Sequence, residues 1–497
     1  MRRGLAEPVV VLAAAFLWHA AYSGYGLAPQ DEGWLLNAAS RVAAGETPYR
    51  DFTTAYVPGT YWLVAGVLDA FGPNLPAVRL IFALLRALTV LLVFLLARRL
   101  TSRPFAFGAA ALTALVPGPW HKTFYALVPL AALVPAARWE SGGSLRWLAA
   151  AGCAAGVGAW FRQDAGFAAL AGAAWVAWWA ARSRAAASRR RALGVLVLSA
   201  AAAFLVPAAW LATQGVTAGD VLAQSGTGAV AVGAPRAHWL TSLLRLSAPD
   251  LAPPHAQIVA VLALSLPLLA VLGLHRSFAR RRLAQPSAAT LGGLALATLL
   301  LSNQVFREHV IVRFLQCGAL AYVLFFALAG SARPLARGAL LAVPAAFAAY
   351  LLLADGARGD IPVEYTGSIA VRAAANASLE VRGHVVHVRD DLARDLAPLA
   401  GFVRERTAES EPILVLGAPA ILNFLADRPS PGRRIRFGQE HLPLLDLAFW
   451  RRVYASGCRH VIMPRSWGEL APLDIYPKGR KPEMLRRFGP WAVWALP

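Results

Sequence analysis

The chain reads as a polytopic α-helical membrane protein of about 11 transmembrane helices with a C-terminal extracytoplasmic α/β domain. Three observations predict this. First, 58% of the 497 residues are hydrophobic, 15% are charged and the mean hydropathy is +0.51, more apolar surface than one soluble core can hide. Second, apolar stretches near the roughly 20 residues that cross a hydrocarbon layer recur along the first 353 positions. Third, the arginines fall in short clusters between those stretches, as in cytoplasmic loops, and the composition changes after residue 353.

The spans are expected at 8–28, 76–97, 104–119, 121–137, 145–161, 165–181, 192–213, 257–274, 287–302, 309–330 and 335–353. With Met1 inside, the inner segments are Arg2-Arg3, Arg98/Arg99/Arg103, Arg138/Arg146, 182–191, 276–282 and Arg333/Arg337. They hold 18 arginines, and every even-numbered connection then falls inside, so the register is self-consistent. Nine of the 11 carboxylates in residues 1–353 lie outside; Glu7 and Glu140 are the exceptions. The stretch YVPGTYWLVAGVLDAFG (56–72) is apolar enough to be a short span, but that would carry Arg98/Arg99/Arg103 outside. It is read as an interfacial or re-entrant helix within a first outer loop of about 29–75, and a further outer loop is expected at about 214–256.

Residues 354–497 carry 16 of the 27 carboxylates, and their hydrophobic runs are short. PILVLG (412–417) and RHVIMP are buried-strand runs, HVVHV (384–388) is a third, and helical patterns follow or precede each. This alternation predicts a small α/β domain, so the domains are 1–353 and 354–497, the second placed outside by an odd number of spans. The N-terminal apolar run is too long for a signal peptide and lacks a small-residue cleavage site, so it is read as an uncleaved first span. The expected location is the bacterial inner (plasma) membrane.

A net charge of +21 raises nucleic acid as a partner, but the arginines are dispersed between spans rather than gathered on one face, which argues against it. Arg outnumbers Lys 45 to 3, a bias that with the alanine richness fits a GC-rich genome. Cys153, Cys317 and Cys458 are odd in number and show neither metal spacing nor a disulfide framework.

Chemistry is sought in DEGWLLNAASRVAAGETPYRDFTTAYVPGTYW (31–62), which holds four of the 11 carboxylates before residue 354. Asp31 and Glu32 follow the first apolar run directly, within a residue or two of the interface. An enzyme acting on a lipid-linked substrate needs a base at that depth, because the lipid phosphate sits at headgroup level. The competing reading is that Asp-Glu opens a solvated amphipathic helix, whose N-terminus favours acidic residues.

The order DE, helix, Gly45-Glu46, Pro48-Tyr49-Arg50-Asp51-Phe52, Tyr56, Pro58-Gly59, Tyr61-Trp62, then Phe71-Gly72 and an arginine opening the next span, resembles one family. It looks like the bacterial relatives of the protein O-mannosyltransferases and the aminoarabinose transferases of lipid A. These are GT-C glycosyltransferases that use polyprenyl-phosphate-linked sugars. The resemblance covers residues 1–165 well, is looser to 330, and for the outer domain is one of kind. It implies that the acidic pair is catalytic, with Asp31 as general base, Glu32 beside it and an inverting displacement that expels polyprenyl phosphate. It implies a lipid-phosphate sugar donor, an acceptor glycan, lipid or protein, and no metal. Arg79 matches the family's arginine at the start of the second span, where it would meet loop carboxylates such as Asp51. Arg313-Phe314-Leu315 resembles the family's Arg-Tyr-Leu element, with Phe in place of Tyr.

Expelling a phosphate is easier when cationic donors neutralise its growing charge. Candidates facing outward are Arg162 in WFRQD, His121-Lys122 in the hairpin PGPWHKTF, and Arg307, His309 and Arg313 in FREHVIVRF. For each the alternative is an anchor snorkelling to anionic headgroups. Arg79 and Arg86 lie within the second span, an expensive place for charge. Asp164 is either a second acidic site group or Arg162's neighbour, and Tyr56 is a candidate substrate contact.

Other constellations fail. Trp178-Trp179 is followed by Ala-Ala, so the WWD element of oligosaccharyltransferases is absent. The first loop has no Asp-x-Asp, which argues against a bound divalent metal there, and His384/His387/Asp390/Asp391 reads as a solvated strand edge. Asn376-Ala377-Ser378 fits a glycosylation sequon that arises often by chance. Two rival functions remain: a lipid or polysaccharide transporter, which would place charge at mid-membrane in related halves, and a non-catalytic scaffold, which would not need the acidic pair.

Overall fold

The computed structural model describes residues 3–116, 118–183, 186–227, 254–282, 287–302, 310–353, 372–417, 420–433, 446–467 and 480–497. These form two compact units. One contains residues 1–23, 79–210 and 235–371; the other contains residues 24–78, 211–234 and 372–497. Residues 29–75, expected as a first outer loop, thus group with the C-terminal residues.

The chain is mostly α-helical. The helices are α1 (Arg3–Ala20), α2 (Asp31–Ala43), α3 (Gly59–Phe71), α4 (Leu75–Leu100), α5 (Arg103–Leu115), α6 (Phe124–Gly142), α7 (Leu145–Ala159), α8 (Gln163–Ala180) and α9 (Ala186–Thr213). Then come α10 (Ala218–Val221), α11 (Pro254–Arg282), α12 (Ala288–Leu301), α13 (Val310–Ala329) and α14 (Pro334–Leu353). Each of the eleven expected spans overlaps one of these helices. Among the described residues, Leu75–Leu100 and Ala187–Thr213 meet both the length and the composition for crossing a membrane. The first helix stops at Ala20 rather than 28, because Tyr22–Gly26 turns and Gly24 and Gly26 make strand-like bonds with His387 instead. Helix α3 is 13 residues long, the same length as α5, and rises about 20 Å.

Small residues bring the helices of the first unit together. A Cβ on Gly152 or Gly156 of α7 would fall 2.2 Å or less from atoms of α9, and one on Gly293 of α12 would lie 2.5 Å from the Gly172 carbonyl of α8. Backbones this close gain dispersion contact where lipid offers no hydrophobic drive. The arginines of the expected inner segments also close helix ends: Arg280 donates to the Leu100 carbonyl at 3.4 Å and Arg337 to that of Ala329 at 3.2 Å. Such bonds satisfy carbonyls that the helix itself leaves open. Glu140 does the converse. Its carboxylate accepts from the amides of Ala289 and Thr290 and from the Thr290 hydroxyl, capping α12 from a neighbouring helix.

In the second unit the C-terminal residues carry the strands. β1 (Ala377–Val381) and β2 (His384–Val388) form an antiparallel hairpin turned at Arg382-Gly383, both at positive φ. A four-stranded sheet has the order β3 (Ile413–Val415), β4 (His460–Pro464), β6 (Trp491–Ala495), β5 (Glu483–Phe488), with β3 and β4 parallel and the rest antiparallel. Helices α15 (Asp390–Arg406), α16 (Leu422–Ala426) and α17 (Leu447–Ala455) accompany it, and Phe449, Trp450 and Val453 of α17 pack with Leu414, Val461 and Trp494. All three expected strands are present. No apolar pattern marks β5, because half of EMLRRF is charged and most of it is exposed, as an edge strand tolerates. Burial in this core pushes the Cys458 thiol up to about 12, and none of the three cysteines is in a disulfide.

Candidate active site

The first loop is laid along C-terminal residues at successive points. Gly26 N donates to His387 O and His387 N to Gly24 O, both at 2.8 Å, and the Tyr25 and His387 rings stack at 5.0 Å. Ile421 N donates to Pro29 O at 2.9 Å. Four residues on, α2 meets the same segment so closely that a Cβ on Gly33 would lie 2.0 Å from Ile421 N. No side chain fits there. Further along, Arg41 donates to Gly432 O at 2.8 Å and covers the Phe52 ring, while Thr53 N donates to Arg433 O at 2.7 Å.

This seating separates the loop carboxylates. Asp31 opens the first turn of α2 and is half-buried. Glu32, on the adjoining face, is 2% exposed, among the buried Leu35, Leu36, Ala38 and Ala39 side of the helix. Glu46 pairs with Arg41, which holds the end of α2 against the loop. Asp51 takes Arg50 Nε on one oxygen at 2.9 Å, and Arg50 Nη2 and Thr47 N on the other, both at 2.7 Å. The Arg50 guanidinium holds its carboxyl down at about 2. Tyr49 sits in the same turn at φ 72°, fully buried, its hydroxyl donating to Tyr56 O at 3.1 Å. Burial pushes that hydroxyl's pKa above the ordinary phenol value. The Tyr56 side chain itself is exposed. Gln224 and Arg433 both donate to Tyr49 O, so the turn is fastened from two further segments.

The cationic candidates belong to the helical unit. Arg162 caps the start of α8 and forks onto Asp164 through Nε at 3.1 Å and Nη2 at 3.0 Å, with its guanidinium over the Tyr125 ring. Asp164 is therefore Arg162's partner. Arg79 is buried on α4 and donates to Ser23 O at 3.2 Å. His121 and Lys122 lie on a single 3-10 turn, Trp120–Lys122, between α5 and α6, with His121 edge-on to Trp120. Lys122 lines a cavity with His19 and Arg86. Arg313 lies on the first turn of α13. Arg307 and His309 lie outside the described residues.

Sequence reasoning missed Gly33, Arg41 and His19. Gly33 is an ordinary-looking glycine after an acidic pair, and nothing local announces a contact with residue 421. His19 had a signal, since it is the one histidine in the first apolar run. Among the described residues no group of three or more His, Cys, Asp or Glu could hold a metal ion.

The family model for dolichyl-phosphate-mannose-protein mannosyltransferases matches residues 55–210. The crystal structure of ArnT from Cupriavidus metallidurans bound to undecaprenyl phosphate is similar over 98% of this chain and 97% of that one, with a TM-score of 0.61 and 16% identity. Residues 55–210 are thus similar in sequence to that mannosyltransferase family. At 16% identity the likeness to ArnT is one of fold. The Archaeoglobus fulgidus oligosaccharyltransferase, solved with zinc and sulfate, overlaps 91% of this chain and 68% of its own at 14% identity. Its TM-score of 0.44 is too low to argue from. No curated protein matches by sequence.

Proposed function

We propose that the chain is an integral membrane glycosyltransferase that moves a sugar from a polyprenyl-phosphate donor to an acceptor hydroxyl on the extracytoplasmic face. Asp31 takes the acceptor proton as the hydroxyl oxygen attacks the anomeric carbon. The bond from that carbon to the phosphate oxygen breaks, polyprenyl phosphate leaves with the electron pair, and the anomeric configuration inverts. Glu32 and Asp51 support the loop rather than take the proton. Arg162, Arg313, Lys122, His121 and Arg79 supply positive charge to the phosphate, with Asp164 orienting Arg162 and Tyr56 contacting substrate. In this reading cationic side chains neutralise the leaving group, so the reaction needs no metal. In this reading eleven spans cross a bacterial inner membrane, with the loop and the C-terminal residues outside.

The observation that carries the reading is the division of labour in the loop. Asp51 has both oxygens committed and Glu32 is sealed in the helix face, whereas Asp31 combines the first-turn position with partial exposure. A scaffold would gain nothing from that distinction. The test is lipid and glycan mass spectrometry of membranes with and without the gene, and with the Asp31→Asn variant. A sugar missing from one lipid, polysaccharide or protein in both the deletion and the variant is expected and names the acceptor. An unchanged profile in the deletion defeats the transferase reading.

A further inference from the structure

The turn at residues 49–54 is a junction of three stretches of chain. The Tyr49 carbonyl accepts from Gln224 Nε2 at 2.9 Å and from Arg433 Nη2 at 2.7 Å, and Arg433 O accepts from Thr53 N at 2.7 Å. Gln224 Oε1 accepts from Thr54 N at 3.2 Å. One carboxamide therefore spans the turn from residue 49 to residue 54, as a neighbouring strand would. Its orientation follows from its neighbours, since a backbone carbonyl takes the NH2 and a backbone N–H takes the oxygen. A glutamate there has no donor for the carbonyl, and a lysine or arginine has no acceptor for the amide.

The residues before Gln224 hold it in place. Leu211 and Val216 are buried. Thr217 and Asp220 form a reciprocal cap, with Asp220 N donating to Thr217 Oγ1 at 3.1 Å and Thr217 N to Asp220 Oδ2 at 2.9 Å, and this cap opens α10. Helix α10 runs straight into a π-helical turn, Leu222–Thr227, that carries Gln224. Such turns are rare and frequently lie at functional sites. A second tie between the same two stretches, Arg50 Nη1 to Gln214 O at 2.8 Å, is exposed, so water competes for it.

The turn in its own right grips α2. Asp51 O accepts from Arg41 Nη2 at 3.3 Å, and the Arg41 guanidinium covers the buried Phe52 ring at 5.1 Å. Arg41 stands in the last turn of the 13-residue helix whose first residue is Asp31. A rigid helix carries a displacement of one end to the other, as a loop does not.

We propose that Gln224 is a positioning residue: by spanning the 49–54 turn it fixes Arg41 and, through α2, the place of Asp31. Residues 211–227 thereby regulate the site. The role in sugar transfer rests on the transferase reading of Asp31; the mechanical tie from Gln224 to α2 does not.

The test uses the full chain in maltoside micelles and compares wild type with Gln224→Met, which keeps the length of the side chain and loses both polar ends. Hydrogen exchange is followed by mass spectrometry over residues 31–45 and 46–57. Sugar transfer is measured in parallel, with the lipid extract of the gene-deletion strain titrated as donor. In Gln224→Met the amides of 31–45 are expected to exchange roughly 3–10-fold faster, as loss of one or two hydrogen bonds implies. The kcat is expected to fall by ~10-fold, the kind of loss a misplaced catalytic group causes, with the donor KM unchanged. Gln224→Glu keeps the Thr54 bond and should lie between the two, and it carries both readouts where Gln224→Met fails to fold. Faster exchange confined to 46–57 overturns the proposal, as does faster exchange in 31–45 with kcat unchanged. A wild type that transfers no sugar defeats the transferase reading instead, and exchange in 31–45 then decides by itself whether Gln224 holds α2.

Discussion

Asp31 and Asp51 are carboxylates of one loop, and they are treated in opposite ways. Asp51 is clamped by an arginine next in sequence and by a backbone amide, with its proton affinity driven far down. Asp31 stands on the first turn of a helix, half-buried beside a glutamate that is buried. The contrast teaches that a cluster of acids is not one site. The two oxygens of Asp51 hold its own turn together, whereas Asp31 stands where a helix begins.

The largest expected effect falls on Asp31. Asp31→Asn should cut sugar transfer by roughly 10²–10⁴-fold, the usual weight of a positioned general base, with the melting temperature unchanged. A donor-turnover assay in reconstituted membranes checks this. Full turnover in a folded Asp31→Asn protein would erase the distinction between the two carboxylates.

Gly33→Ala comes next. The added methyl would fall 2.0 Å from the Ile421 amide, a backbone atom that cannot swing aside. The helix start and the 420–421 segment must part, at about 1–3 kcal/mol for overpacking of this kind. A lowered melting temperature and reduced transfer are expected together, because the same displacement carries Asp31. Lost stability with wild-type turnover would show that the seat of α2 does not set the position of Asp31.

The contact at Gly33 also marks where the sequence stops being informative. The helices, the loop's place in the chain and the strands HVVHV, PILVLG and RHVIMP were legible, because each is a local pattern of apolar period and charge. The reading of 56–72 as a segment within the loop came from charge bookkeeping alone. What no local pattern could reveal is that Tyr25, Pro29, Gly33, Arg41 and Thr53 are held by residues nearly four hundred positions later. The pairing of Arg162 with Asp164 was written in WFRQD as one of two open options, since residues two apart share a turn when one caps a helix.

A third carboxylate extends the comparison into the helical unit. Glu140 accepts from two amides at the start of α12 and resembles Asp51 in being committed. Glu140→Gln should lower the melting temperature by an amount equivalent to about 1–2 kcal/mol, the range of a lost helix cap, and leave per-molecule transfer intact. Loss of transfer without loss of stability would move Glu140 into Asp31's class.

Asp51→Asn should have the smallest effect. The pair with Arg50 is partly exposed, with 31% of the Asp51 side chain open to solvent, so screening limits its worth to about 1 kcal/mol at most. Its pH dependence has a definite sign. The folded-state value of about 2 lies below the ordinary 3.8, so the contribution is fully present above about pH 4 and fades as pH falls toward 2. Melting temperatures of wild type and Asp51→Asn should therefore differ at pH 6 and converge on acidification. A constant gap between wild type and Asp51→Asn down to pH 2 would mean that the Thr47 amide and the packing of Tyr49, rather than the ionised carboxylate, hold the turn.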